Sequence, residues 1–171
     1  MFRRVEDFVA CWEQESRGCL RVFQAVDEAV MAQAVAPGHR DLRRLAWHLV
    51  EGLIEMPGRM GLHLEGAELI KGGFICDPPA TMEEIRHVYA RTSAALLKAL
   101  GDWTDAELER EDDMYGEAWR RGFSLLVLIT HQAHHRGQMT VLLRQAGLGV
   151  PDIYGPTRES WASFGMKEPR V

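Results

Sequence analysis

The chain has 171 residues, 46% of them hydrophobic, and a formal net charge of −5. That is the length of a single domain, 1–171, with enough apolar content for one contiguous core. No apolar run approaches the length of a membrane span, and the N-terminus turns acidic at Glu6-Asp7 before a signal-peptide core can form. The composition therefore predicts a soluble, cytoplasmic protein with no membrane partner. The charge is local: Asp102 to Asp113 holds seven acids and one base, which predicts a solvated connection and gives no support to nucleic acid as a partner. Three cysteines, Cys11, Cys19 and Cys76, form no C-x-x-C pair, so a disulfide framework and a thiolate zinc knuckle are both unsupported and the three are expected reduced and mostly buried.

Four long helices are predicted. From Val5 to Gln33, Phe8, Trp12, Cys19, Val22, Phe23, Val26 and Val30 recur near helical spacing until Pro37-Gly38. A second helix starts near Asp41 and carries Leu42, Leu45, Leu49, Leu53 and Met56 down to Pro57. Gly58 to Lys71 reads as a weaker helix and Gly72 to Pro79 as a loop. Thr81-Met82-Glu83-Glu84 is a capping box that opens the third helix, which Gly101 closes. Thr104-Asp105-Ala106-Glu107 is a second capping box, opening a short turn, and Met114 to Trp119 suggests a small hairpin. The fourth helix spans Gly122 to Gln145 and stops at Gly147, with Leu125, Leu128, His131, His135, Gln138 and Leu142 along one stripe. The tail, 149–171, is rich in Pro and Gly, with Trp161 and Phe164 as the anchors that would pin it over the bundle. The expected architecture is all-α, a four-helix bundle.

The most informative segment is His131-Gln132-Ala133-His134-His135-Arg136-Gly137-Gln138. Residues i and i+4 of a helix lie on one face, roughly 5–6 Å apart at Cβ, so the imidazoles of His131 and His135 can reach one ion. His48, in Leu45-Ala46-Trp47-His48, sits on another predicted helix that can bring it to the same ion. Three neutral nitrogens leave a coordination position open, which separates catalytic from structural sites. At i+3, His134 competes with His135, and the stripe through Leu128, Gln138 and Leu142 favours His135. His39 and His63 fall in Gly- or Pro-rich segments, and His87 lies off the Ile85-Tyr89-Thr92-Leu96 face of its helix. Glu51 and Glu55, one and two turns beyond His48, read as solvated, with a role as base or supporting group as the alternative. Gln138 is placed to orient a ligand or substrate, and Trp47 and Trp119 read as packing.

The histidine run, Leu45-Ala46-Trp47-His48, and Gly147-Leu148-Gly149-Val150-Pro151 after the last helix together resemble the DinB/YfiT-like family of metalloenzymes, over most of the chain. The resemblance implies an up-down-down-up four-helix bundle, commonly a homodimer, with a divalent metal ion held by three histidines: His48, His131 and His135 here. It also implies a small-molecule substrate, because relatives include transferases and isomerases that use low-molecular-weight thiols.

Other chemistries lack a starting residue. The same run matches the zinc-protease pattern His-Glu-x-x-His except that Gln132 replaces the glutamate, and an amide cannot serve as general base near neutral pH. No G-x-S-x-G, P-loop or dinucleotide fingerprint is present. A three-histidine ion could lower a water's pKa or take a thiolate. The leading expectation is thus a metal-dependent transferase using a small thiol. A metal-dependent hydrolase and a non-catalytic, metal-stabilised binding protein are the alternatives. Zinc or nickel is expected ahead of iron or manganese, since imidazole suits several of these ions.

Overall fold

The computed structural model describes residues 1–167 and 170. Its four long helices are α1 (Val5–Gln24), α2 (Leu42–Arg59), α3 (Met82–Leu100) and α4 (Arg121–Gln145). α1 and α2 each pack against both α3 and α4, so the helices close a bundle with α1 diagonal to α2. Helix directions follow from named contacts. Phe2 meets Gly122 at one end and Glu15 meets Arg136 further along, so α1 and α4 run parallel. Trp12 reaches Ser93 while Phe23 packs edge-on against Tyr89, so α3 runs against α1. Gly52 abuts His131 while His48 packs on His135, so α2 runs against α4. The result is an up-down-down-up bundle around Phe8, Trp12, Leu49, Leu53, Ile85, Tyr89, Leu125 and Leu128, all fully buried. Among the described residues no helix is long and apolar enough to cross a membrane.

Several boundaries differ from the sequence expectation, each for a local reason. α1 stops at Gln24 rather than Gln33, because the Asp27 carboxylate accepts the Ala29 N–H and starts a separate 3-10 turn, Glu28–Val30. Glu28 then accepts the Met82 N–H at 2.8 Å, so this broken segment caps α3 instead of prolonging α1. α2 begins where expected, with Asp41 accepting the Arg44 N–H at 2.7 Å, but runs two residues past Pro57. Between α2 and α3 the weaker helix reduces to one 3-10 turn, Ala67–Leu69. The end of that segment, β1 (Ile70–Lys71), instead pairs with β2 (Phe74–Ile75) inside the expected loop to form a hairpin. Gly72 and Gly73, both at positive φ, form its two-residue turn.

Thr81 caps α3, accepting the Glu84 N–H. The second capping box does not form: Thr104 makes no cap hydrogen bond, and the Asp105 carboxylate instead accepts the Val5 N–H at the start of α1. The predicted hairpin is present as β3 (Glu111–Met114) and β4 (Glu117–Arg120), turning at Tyr115-Gly116 with both φ positive. The acidic stretch before it is only partly solvated, because Glu107 and Asp112 hold the guanidinium of buried Arg121 at 2.5 and 2.8 Å. Near the start of α4, a Cβ on Gly122 would lie 2.1 Å from the Phe2 carbonyl oxygen, so only glycine admits this close approach. In the tail, Ile153 packs against the core and Tyr154 hydrogen-bonds into it. Trp161 is half-buried and Phe164 is 58% exposed, so the anchors are residues other than the two expected; Glu168, Pro169 and Val171 of that tail lie outside the described residues. Of the cysteines only Cys19 is buried; Cys11 is exposed and Cys76 intermediate, and all three are free.

Candidate metal centre

His48, His131 and His135 converge between α2 and α4, with one ring nitrogen of each within 4.8 Å of the others. The i, i+4 spacing brings His131 and His135 together edge-on with ring centroids 4.6 Å apart, and His48 packs edge-on against both. The Nε2 atoms of His48 and His131 are 3.2 Å apart. Two nitrogens on one tetrahedral zinc, at bond lengths of about 2.0–2.1 Å, stand about 3.3 Å apart.

The neighbours of the rings decide which nitrogens are free. Glu51 Oε2 lies 2.8 Å from His48 Nδ1, and a carboxylate can only accept there, so Nδ1 carries the proton and Nε2 presents a lone pair. Glu51 is itself held by the Ile75 N–H from β2, 3.0 Å from its Oε1. Its carboxyl titrates below the usual range: burial, which would raise it, is outweighed by that N–H and by His48. Gln138 Oε1 lies 2.8 Å from His135 Nδ1, and its amide nitrogen is 3.3 Å from His134 Nε2. The consistent assignment has Gln138 accepting from His135 and donating to His134, which frees His135 Nε2. His134, exposed, thus ends this chain of contacts outside the cluster.

His131 Nδ1 is buried with no hydrogen-bond partner. A Cβ at Gly52 would come within 2.9 Å of the His131 ring, so a glycine on α2 makes room for it. Burial first, and then the neighbouring histidines and Arg40, lower the His131 pKa to about 4. Burial likewise lowers His48 and His135. Three neutral imidazoles whose ring nitrogens converge, two of them with Nε2 lone pairs freed by Glu51 and Gln138, fit a divalent cation. Among the described residues the cluster has three members.

Two cavities flank the histidines. One, of ≈ 490 Å³, is bounded by His48, His131, Glu55, Arg59, Phe74 and Tyr115. Glu55 is not free within it, being paired with Arg59 and accepting the Tyr115 hydroxyl at 2.6 Å. The other, of ≈ 510 Å³, lies on the His135 and Gln138 side, against Val35, Leu45, Val141 and Leu142. Arg40 borders both. Trp47 is packing, fully buried with its indole N–H donated to the Cys76 carbonyl at 2.7 Å.

Two polar residues of α4 that sequence reasoning misses are the most buried in this region. The inward face of α4 runs through Leu125, Leu128, Gln132, Arg136 and Met139, so the expected apolar stripe through His131, His135 and Gln138 is displaced by one residue and the histidines lie on its flank. Gln132 donates to the Leu49 carbonyl and accepts from the Tyr89 hydroxyl. Arg136 donates to the Glu15 carboxylate at 2.7 Å and to its carbonyl at 3.0 Å, and Tyr154 caps the pair. The i, i+4 spacing of Leu128, Gln132 and Arg136 is the available signal, masked because polar residues occupy core positions. Glu51, expected to be solvated, instead orients His48.

The DinB family profile matches residues 1–171. The chain is 34% identical over 174 residues to the uncharacterized protein YrdA of Bacillus subtilis (strain 168), covering all of both. It is also similar to the crystal structure of a DinB-like protein from Bacillus cereus ATCC 10987, at 35% identity and a TM-score of 0.82, over 90% of this chain and 100% of that one. The DinB-like protein YjoA of Bacillus subtilis, 14% identical with a TM-score of 0.66 over 88% of this chain and 99% of its own, shares the fold. With the bundle, the helix directions and matches that span its full length, the chain belongs to the DinB family.

Proposed function

We propose that this chain is a metal-dependent transferase that uses a low-molecular-weight thiol, its divalent ion held by His48, His131 and His135. The observation that carries the metal is the convergence of three buried or half-buried imidazoles, with His131 Nε2 3.2 Å from His48 Nε2 and the Nε2 lone pairs of His48 and His135 freed by Glu51 and Gln138. The thiol rests on the family resemblance of the histidine run. Bound there, a divalent ion supplies Lewis acidity that lowers the pKa of a thiol placed against it. The protein's own residues keep the imidazoles neutral, fix the tautomers of His48 and His135 and leave a cavity on either side for substrate. Zinc or nickel suits the all-imidazole donor set, and the small-molecule partner, a homodimer and a cytoplasmic location belong to the same reading.

Metal analysis of the purified protein followed by a panel of thiols with electrophilic acceptors tests it. The expected result is about one ion per chain and turnover that needs both metal and thiol. Ester or amide hydrolysis without thiol would transfer the site to a hydrolase; a tightly held ion with no turnover of either kind would make it a metal-stabilised binding protein.

A further inference from the structure

We infer that Arg40 is the anion-binding residue of the metal centre, and that the ligand it takes is a small carboxylate with a short aliphatic body whose other end reaches the three histidines. The inference rests on the metal reading above. Arg40 stands at the junction of the two cavities, bordering one beside His48 and His131 and the other beside His135 and Gln138. It is exposed, and among the described residues its guanidinium has no ion pair or hydrogen bond.

Three of the four carboxylates around it are already engaged. Glu51 is held by His48 and the Ile75 N–H, Glu55 by Arg59 and Tyr115, and Asp41 caps α2 through the Arg44 N–H. Asp77 shares the outer rim with Arg40, Arg43 and Arg44 but forms no ion pair with Arg40. What sets Arg40 apart at the entrance to the site is not the net charge of its surroundings but a guanidinium with no partner of its own, open to an entering anion. A guanidinium with all its donors free matches a carboxylate through two parallel hydrogen bonds. The wall beyond Arg40 is apolar, formed by Val35, Leu45, Val141 and Leu142, and suits an aliphatic chain rather than a second charge.

The test compares 3-mercaptopropionate with 2-mercaptoethanol, which differ in the group opposite the thiol, on the cobalt-loaded protein. Binding is read by calorimetry and by the cobalt absorption spectrum. The wild-type protein is expected to prefer 3-mercaptopropionate by about tenfold or more, the size of one charge-assisted hydrogen bond, and to lose that preference as salt is raised. Arg40→Ala should keep its cobalt and its affinity for 2-mercaptoethanol, with the preference falling to within about twofold; Arg40→Lys should keep part of it. Full cobalt uptake with no carboxylate preference in the wild-type protein, or a preference that survives Arg40→Ala, overturns this inference alone. A wild-type protein that takes up no cobalt overturns the metal reading and this inference with it.

Discussion

Adjacent residues of α4 serve opposite ends. His131 and His135 face the cleft against α2, while Gln132 and Arg136, each the next residue along, face the interior. In the interior set every polar group is answered: Arg136 by Glu15 and Tyr154, Gln132 by Leu49 and Tyr89. In the cleft, lone pairs face one another and one buried nitrogen has no partner. Buried polar groups that satisfy each other hold a fold together; converging ring nitrogens and an unsatisfied buried nitrogen are costs the fold bears, of which a bound cation would relieve the first.

That contrast can be broken most sharply at Arg136. Arg136→Ala strands the Glu15 carboxylate in the interior and is expected to cost about 3–5 kcal/mol, lowering the thermal midpoint by on the order of 10 °C, with metal affinity little changed below that midpoint. Calorimetry with and without metal checks both halves. His131→Ala should do the reverse. Metal affinity should fall by more than about 100-fold, beyond what loss of a supporting residue causes, while the metal-free protein is no less stable than wild type, because the unsatisfied Nδ1 goes with the ring. His134→Ala, in the same measurement, should change affinity by less than about threefold, since His134 touches the site only through Gln138; a larger loss would mean that His134, not His135, is the ligand.

A smaller effect is expected at Glu51. Glu51→Ala frees the His48 ring to rotate and should weaken metal binding by about 10- to 100-fold, and Glu51→Gln, which keeps an acceptor for Nδ1, should restore most of it. The smallest expected effect is in the pH dependence of the metal-free protein. His131 titrates at about 4 when folded against 6.5 for an unperturbed histidine, so between these values the unfolded chain binds a proton that the native state does not. Its contribution is complete above about pH 6.5 and is lost as the pH falls toward 4. Urea unfolding at a series of pH values should therefore show a steeper loss for wild type than for His131→Ala across that window.

Much of the architecture is legible in the order of residues. The Thr81 and Asp41 caps, the stop at Gly147 and the Tyr115-Gly116 turn are local chemistry, decided within a few residues. So is the pairing of His131 with His135, because helix geometry alone brings i and i+4 together. The choice of His48 needs the family pattern as well, since nothing local joins it to a helix 83 positions away. Where local reading fails, a distant partner intervenes: Glu28 turns from α1 to cap α3, Asp105 turns to cap α1, and the acids Glu107 and Asp112 are drawn to a buried Arg121.

By itself, then, the sequence determined four helices, the Asp41 and Thr81 caps and one histidine pair, because backbone propensity, caps and helical period act over short stretches of chain. Only the tertiary structure decided which face of α4 is the inside, since that depends on Glu15, 121 positions from Arg136, supplying a carboxylate at the right depth. The same holds for the free nitrogens of His48 and His135, set by Glu51 and Gln138, and for Arg40, which stands free while Glu51, Glu55 and Asp41 are committed elsewhere. Charges and lone pairs act through space, and their partners are chosen by packing rather than by position in the chain.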